Sequence, residues 1–117
     1  MKIKTEKEDK EASRIKRAEI PYCERCDKKE HLAVHHIFSR GRSATRYLLE
    51  NLIVLCPACH TFSPTFSAHR TPDKFKAWIR KKIGLAEYKR IEKLSWKYQS
   101  RSKAKKEFWI RYSLTKK

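Results

Sequence analysis

Cys23-Glu24-Arg25-Cys26, then Val34-His35-His36-Ile37, then Asn51-Leu52-Ile53-Val54-Leu55-Cys56-Pro57-Ala58-Cys59-His60 is the series whose reading decides the fold. All four cysteines and all five histidines of the chain fall between Cys23 and His69. In each C-x-x-C pair, two thiolates from one tight turn can reach the same tetrahedral ion, and four thiolates close its coordination sphere. The pattern therefore predicts a structural Zn2+ on Cys23, Cys26, Cys56 and Cys59. Two disulfides, or a redox C-x-x-C motif, fit less well because nothing in the chain suggests export. A Cys2His2 finger using His31 and His35 fails on spacing, since four residues separate Cys26 from His31 where about twelve are needed. A simple zinc ribbon also fits poorly. Thirty positions separate Cys26 from Cys56, against about fifteen to twenty in a ribbon.

Working outward from this segment, a turn is expected at 23–26 and a short strand around His31 to Ile37. A loop then carries Arg40, Arg42 and Arg46, and a second strand covers Leu52 to Leu55. Pro57 suits the first position of a helical segment bearing Cys59 and His60. Thr71 and Pro72 read as N-cap and first residue of another helix, with Phe75, Trp78, Ile79 and Ile83 on one face and Gly84 at its end. Leu85, Tyr88, Ile91, Leu94 and Tyr98 continue at helical spacing as a long helix, and a last short helix contains Phe108, Trp109 and Tyr112. Residues 1–20 have few apolar positions (Ile3, Ala12, Ile15, Ala18) and mixed charges, which suits either a solvated helix or disorder. The fold class is α+β. Three segments are expected: a charged extension at 1–20, a core at 21–71 and basic helices at 72–117.

The chain of 117 residues fits one small domain. Its formal charge is +17, and 37% of residues are charged against about 25% in an average globular domain. A polyanionic partner would explain that excess. The charge is uneven: residues 1–20 and 21–69 each carry a net +2, whereas residues 70–117 carry +13. The partner-binding electrostatics are thus expected in the C-terminal segment, and truncation near Gly84 is expected to weaken binding while sparing the core. The longest apolar run, Leu52 to Cys56, is far short of the roughly 20 residues of a membrane span. No membrane association and no secretory signal are expected, and a reducing cytoplasm is the expected location.

The adjacent histidines leaving one strand, the asparagine opening the next, the histidine nine positions after that asparagine and the interleaved cysteine pairs together resemble the HNH endonucleases of the ββα-metal type. The likeness is strongest to the small zinc-stabilised members common in bacteriophages and bacteria. It covers Tyr22 to Trp78. The resemblance implies a metal-dependent DNA endonuclease in which His36 is the general base, Asn51 holds the loop that orients the His36 ring, and His35 and His60 ligate a divalent metal. That metal is Mg2+, Mn2+, Ni2+ or Zn2+, since imidazoles accept several of these. Histidine suits the base because its pKa lies near neutrality.

One departure stands out. Many relatives carry a third histidine four positions after the His60 equivalent, where this chain has Pro64. Here eight residues, Thr61 to Ala68, precede His69, and Pro72, Phe75 and Trp78 follow it as in the family pattern. The interval reads as an insertion containing Pro64, with His69 as third ligand. Arg40, Arg42, Arg46, Lys81, Lys82, Lys89 and Arg90 are the expected DNA contacts, and Trp96, Tyr98, Phe108 and Trp109 are aromatics available for stacking on bases. Trp78 and Tyr88 are expected in the core. The expected partner is double-stranded DNA, with a homodimer or phage packaging and recombination proteins as further partners. The alternative is a non-catalytic zinc-stabilised nucleic-acid-binding protein.

Overall fold

Val, Ile and Leu run without interruption through Leu52–Leu55 because this strand is covered on both sides. In a computed structural model of the protein, which describes residues 4–112, strand β2 (Leu52–Leu55) is buried at every position and pairs antiparallel with β1 (Ala33–His36). The register sets Val34 opposite Val54, His35 opposite Ile53 and His36 opposite Leu52. Successive strand residues point to opposite faces, so the hairpin separates two apolar clusters. Ile53 and Leu55 lie in one, with Phe66, Phe75, Ile79, Tyr88 and Ile91; Leu52 lies in the other, with Ala12, Tyr47, Leu49, Ala104 and Phe108.

Among the described residues, five α-helices close around this sheet: α1 (Lys7–Glu19), α2 (Ser43–Arg46), α3 (Pro72–Ile83), α4 (Leu85–Ser95) and α5 (Arg101–Tyr112). Helices α3 and α4 cover the first cluster, while α1 and α5 cover the second. Gly84 ends α3 and opens α4 as a single residue, with φ 91° and ψ 144°, a region essentially restricted to glycine. Pro72 stands at the first position of α3, as expected, but the Thr71 hydroxyl does not cap that helix. It donates to the Ser67 carbonyl at 3.0 Å and accepts from the Ser67 N–H at 2.9 Å, closing the loop ahead of the helix.

Several sequence expectations need adjustment. The first strand is shorter than His31 to Ile37, because His31 adopts a left-handed φ of 54° that breaks an extended strand. Helix α4 stops at Ser95, whose hydroxyl folds back onto the Glu92 carbonyl at 2.6 Å, so Tyr98 lies beyond it. Residues 7–19 are helical, but the helix is docked rather than solvated: Glu8, Asp9 and Ala12 are buried. Ile3, one of its expected apolar positions, lies outside the described residues, as do residues 113–117. Phe108 is 4% exposed and packs in the second cluster, and Trp109 packs beside it and donates to Glu8 at 2.8 Å. Neither therefore offers a free face for stacking, whereas Trp96 and Tyr98 are 68% and 94% exposed. Among the described residues, no helix is long and apolar enough to cross a membrane.

Candidate active site

Both cysteine pairs arrive at one end of the hairpin. The first is stitched to β2 by a bond from the Glu24 N–H to the Val54 carbonyl at 2.9 Å, and the Val54 N–H returns to the Glu24 carboxylate at 2.8 Å. The second follows β2 directly. All four sulfurs lie within 4.8 Å of one another, and Cys26 Sγ is 3.5 Å from Cys56 Sγ. Cys23, Cys56 and Cys59 are buried. Burial pushes the Cys59 thiol up to about 12. Burial also acts to raise Cys56, but the Cys59 N–H and neighbouring thiols outweigh it and hold Cys56 at about 7. Four sulfurs converging in this way, one of them near its thiolate form, make a donor set that fits a zinc ion.

The second cluster is imidazole. His35, His60 and His69 place their ring nitrogens within 4.8 Å of one another, with His60 Nε2 and His69 Nε2 3.1 Å apart. The His35 ring also meets the edge of Phe75, 5.1 Å between centroids. Burial, then the neighbouring His60 and His69, lower the His35 pKa to about 3. Burial and His69 lower that of His60 as well. Three imidazoles with nitrogens converging, His35 and His60 among them disfavouring a charge of their own, suit a divalent cation.

His69 reaches this cluster by a route that spacing alone does not reveal. The segment after Pro57 is one wide turn, Ala58–Phe62, closed by a bond from the Ser63 N–H to the Ala58 carbonyl, and not a continuing helix. The chain then loops through Pro64 and returns alongside that turn. The Ala68 N–H donates to the Cys59 carbonyl at 2.9 Å, and the His69 N–H donates to the His60 carbonyl at 3.1 Å. The second cysteine pair therefore anchors the backbone of both histidines.

His36 faces the other side of β1. Its Nε2 is 3.0 Å from the Arg46 carbonyl. A carbonyl only accepts, so this nitrogen carries the proton and leaves Nδ1 with a lone pair. Burial lowers the His36 pKa, opposed by that hydrogen bond. Asn51 is fully buried; its amide donates to the Phe38 and Thr45 carbonyls at 3.0 and 3.1 Å, and its oxygen accepts from the Phe38 N–H at 2.9 Å. It thus ties the exit of β1 to the residue before Arg46.

An open cleft of about 560 Å³ runs across the histidines, lined by His35, His36, Arg40, His60 and His69 on one side and by Lys10, Ser13 and Arg17 of α1 on the other. Sequence reasoning missed this second wall, because the helix has no apolar stripe that announces how it docks. A groove of about 420 Å³ passes the opposite side of His35 and includes Phe38, Arg42 and Trp96.

The expected DNA contacts divide into three groups. Arg40 lines the cleft and reaches Thr5 Oγ1 at 3.0 Å, and Lys81, Lys82 and Lys89 are exposed. Arg42 lies over the Trp96 ring, 3.7 Å from its centroid, and bonds Ser95, while Arg90 pairs with Glu87 at 2.7 Å and Glu50 at 3.4 Å. Arg46 is not placed to touch DNA. It is 3% exposed and grips Asp9 through two bonds, Nε to Oδ1 at 3.1 Å and Nη2 to Oδ2 at 2.7 Å. Burial beneath α1 replaces the loop-surface position expected of it.

Residues 23–62 match the family model of the HNH endonuclease. No curated protein and no solved structure matches the chain. The matched segment begins at the first cysteine and ends with the wide turn that bears His60, so His69 lies beyond it. That match takes in both cysteine pairs and everything between them, so residues 23–62 are similar to an HNH endonuclease domain, and their cysteine cluster fits the zinc-bearing type of that family.

Proposed function

We propose that the protein is a metal-dependent DNA endonuclease that hydrolyses one phosphodiester per active site. It nicks by itself and cuts both strands as a dimer or with a partner. The observation that carries this reading is the convergence of His35, His60 and His69 beside His36 in a cleft that also presents Arg40. A nucleic-acid-binding module would have no use for a base next to a cluster of three imidazoles.

His35, His60 and His69 would hold a divalent cation, and Cys23, Cys26, Cys56 and Cys59 would hold a structural Zn2+. When bound, the catalytic cation supplies Lewis acidity to the phosphate and to the departing oxygen. His36 takes a proton from water onto Nδ1 as the water oxygen bonds to phosphorus; the bond from phosphorus to the 3′ oxygen breaks and that oxygen takes a proton from solvent, leaving 5′-phosphate and 3′-hydroxyl ends. Asn51 is a positioning residue that fixes the loop whose carbonyl holds the opposite nitrogen of His36. Arg40, Lys81, Lys82 and Lys89 contact phosphates. Double-stranded DNA in a bacterial cytoplasm, in a phage or mobile-element setting with packaging or recombination partners, is proposed on the family resemblance alone.

Supercoiled-plasmid nicking with Mg2+, Mn2+, Ni2+ or Zn2+ tests the reading. Wild type should nick with at least one of these metals, and His36→Ala should reduce the rate by about a hundredfold or more, the scale of a lost general base. Equal nicking by His36→Ala would remove the assigned mechanism. DNA binding without nicking under every metal would favour the binding module instead.

A further inference from the structure

The mixed charges of residues 4–20 are sorted by helix α1 onto different faces. The acids at its N-terminal end turn inward, whereas Glu11 pairs with Arg14 on the surface and Glu19 is exposed. Asp9 is buried against Arg46, Glu8 accepts from Trp109, and Glu6 accepts from Tyr47 and Lys105, each at 2.8 Å. Two of its bases turn the other way. Lys10 and Arg17, with Ser13 between them, follow the i, i+3, i+7 spacing of a single helix face, and that face lines the cleft opposite His35 and His36. Lys10 and Arg17 are exposed, and neither forms an ion pair among the described residues. The cleft's one acid, Asp9, is committed to Arg46.

We propose that α1 is the second wall of the nuclease cleft and grips the DNA backbone beside the scissile phosphate through Lys10 and Arg17. The proposal rests on the function proposed above and adds a binding surface to it. Arg17 follows Lys10 by seven helical steps, about 10 Å at 1.5 Å per residue. That length spans about three base-pair steps of a duplex, so the two side chains reach different phosphates of one strand. Asp9 and Arg46 hold the helix in place from beneath, which keeps the two cations aimed while their own charge remains uncompensated. Backbone contacts of this kind position the substrate without reading its sequence.

Binding of a mixed-sequence duplex oligonucleotide tests this, using the full chain with His36→Ala and no added divalent metal, across a salt series. Each phosphate contact contributes about 0.9 to the slope of log affinity against log salt. Lys10→Ala with Arg17→Ala should flatten the slope by about two and weaken binding about tenfold or more near 0.1 M salt, with an unchanged thermal melt. Lys28→Ala with Lys29→Ala removes the same charge from exposed positions outside the cleft. If this control flattens the slope equally, net charge and not the α1 wall explains the effect, and the proposal falls. An unchanged slope in the α1 variant overturns it even where wild type nicks plasmid, leaving the nuclease reading intact. A flattened slope in a protein that never nicks keeps the grip and removes the catalysis.

Discussion

Helix α1 and the C-terminal helices make opposite impressions in the sequence, and the structure narrows the contrast between them. Residues 1–20 carry a net +2 and look inert, while residues 70–117 carry +13 and look like the grip on a polyanion. Yet Lys10 and Arg17 of α1 line the cleft beside the candidate catalytic histidines, whereas much of the C-terminal segment is structural. Tyr88 and Ile91 of α4 fill the cluster that also contains Cys23, Cys56 and Cys59, and Ala104 and Phe108 of α5 fill the one beneath α1. Net charge along a segment is therefore a poor guide to where charge acts. What matters is whether opposite signs fall on the same face or on different ones.

The largest test of this contrast is truncation near Gly84. The charge distribution alone predicts weaker binding around an intact core. The packing predicts loss of the fold, because the cut removes Tyr88, Ile91 and Phe108, each nearly or fully buried. At about 1.5–3 kcal/mol per fully buried side chain, the loss rivals the roughly 5–15 kcal/mol total stability of a domain. Circular dichroism of the truncated chain should show no cooperative melt; a sharp native-like transition would restore the C-terminal segment to a purely binding role.

Arg46→Ala should have the next largest effect. It leaves the Asp9 carboxylate buried without its partner, which costs about 3–5 kcal/mol, read by urea denaturation. Were Arg46 instead a DNA contact, stability would stay within experimental scatter and only DNA affinity would drop.

The smallest effect concerns Glu6. Hydrogen bonds from Lys105 and Tyr47, with the charge of Arg101 assisting and burial opposing, hold its carboxyl down at about 2. The folded pKa is thus below the ordinary 4.5, so the stabilisation is present above that value and fades as pH falls from about 4.5 towards 2. Glu6→Gln should flatten the acid limb of melting temperature against pH and leave the neutral region little changed, with high salt shrinking the difference. An acid limb identical to that of wild type would show that Glu6 does not couple α1 to α5.

Much of the site was legible because it is local or repeats at fixed intervals. The cysteine pairs declare a shared ion by their spacing, Leu52–Leu55 declares a strand buried on both sides, and Pro72 with Gly84 brackets α3. His35 and His36 fall on opposite faces of one strand for the same reason. The insertion before His69 was visible as a length, but its path was not. That path depends on two backbone bonds to Cys59 and His60, formed only once the chain has turned through Pro64. Likewise nothing near Arg46 in the sequence marks it as buried; its partner Asp9 is 37 positions away.

The sequence by itself determined the residue types suited to holding metal, the two strands and the excess of positive charge, since each follows from composition or from spacing within a few turns of chain. Tertiary structure alone decided that His69 returns to His60, that Arg46 is an internal clamp and that α1 turns Glu8 and Asp9 inward and Lys10 and Arg17 to the cleft. Those outcomes depend on burial and on charge pairing between distant segments. An ion pair's contribution is set by the partner and the solvent exposure that folding provides, and no stretch of sequence contains either.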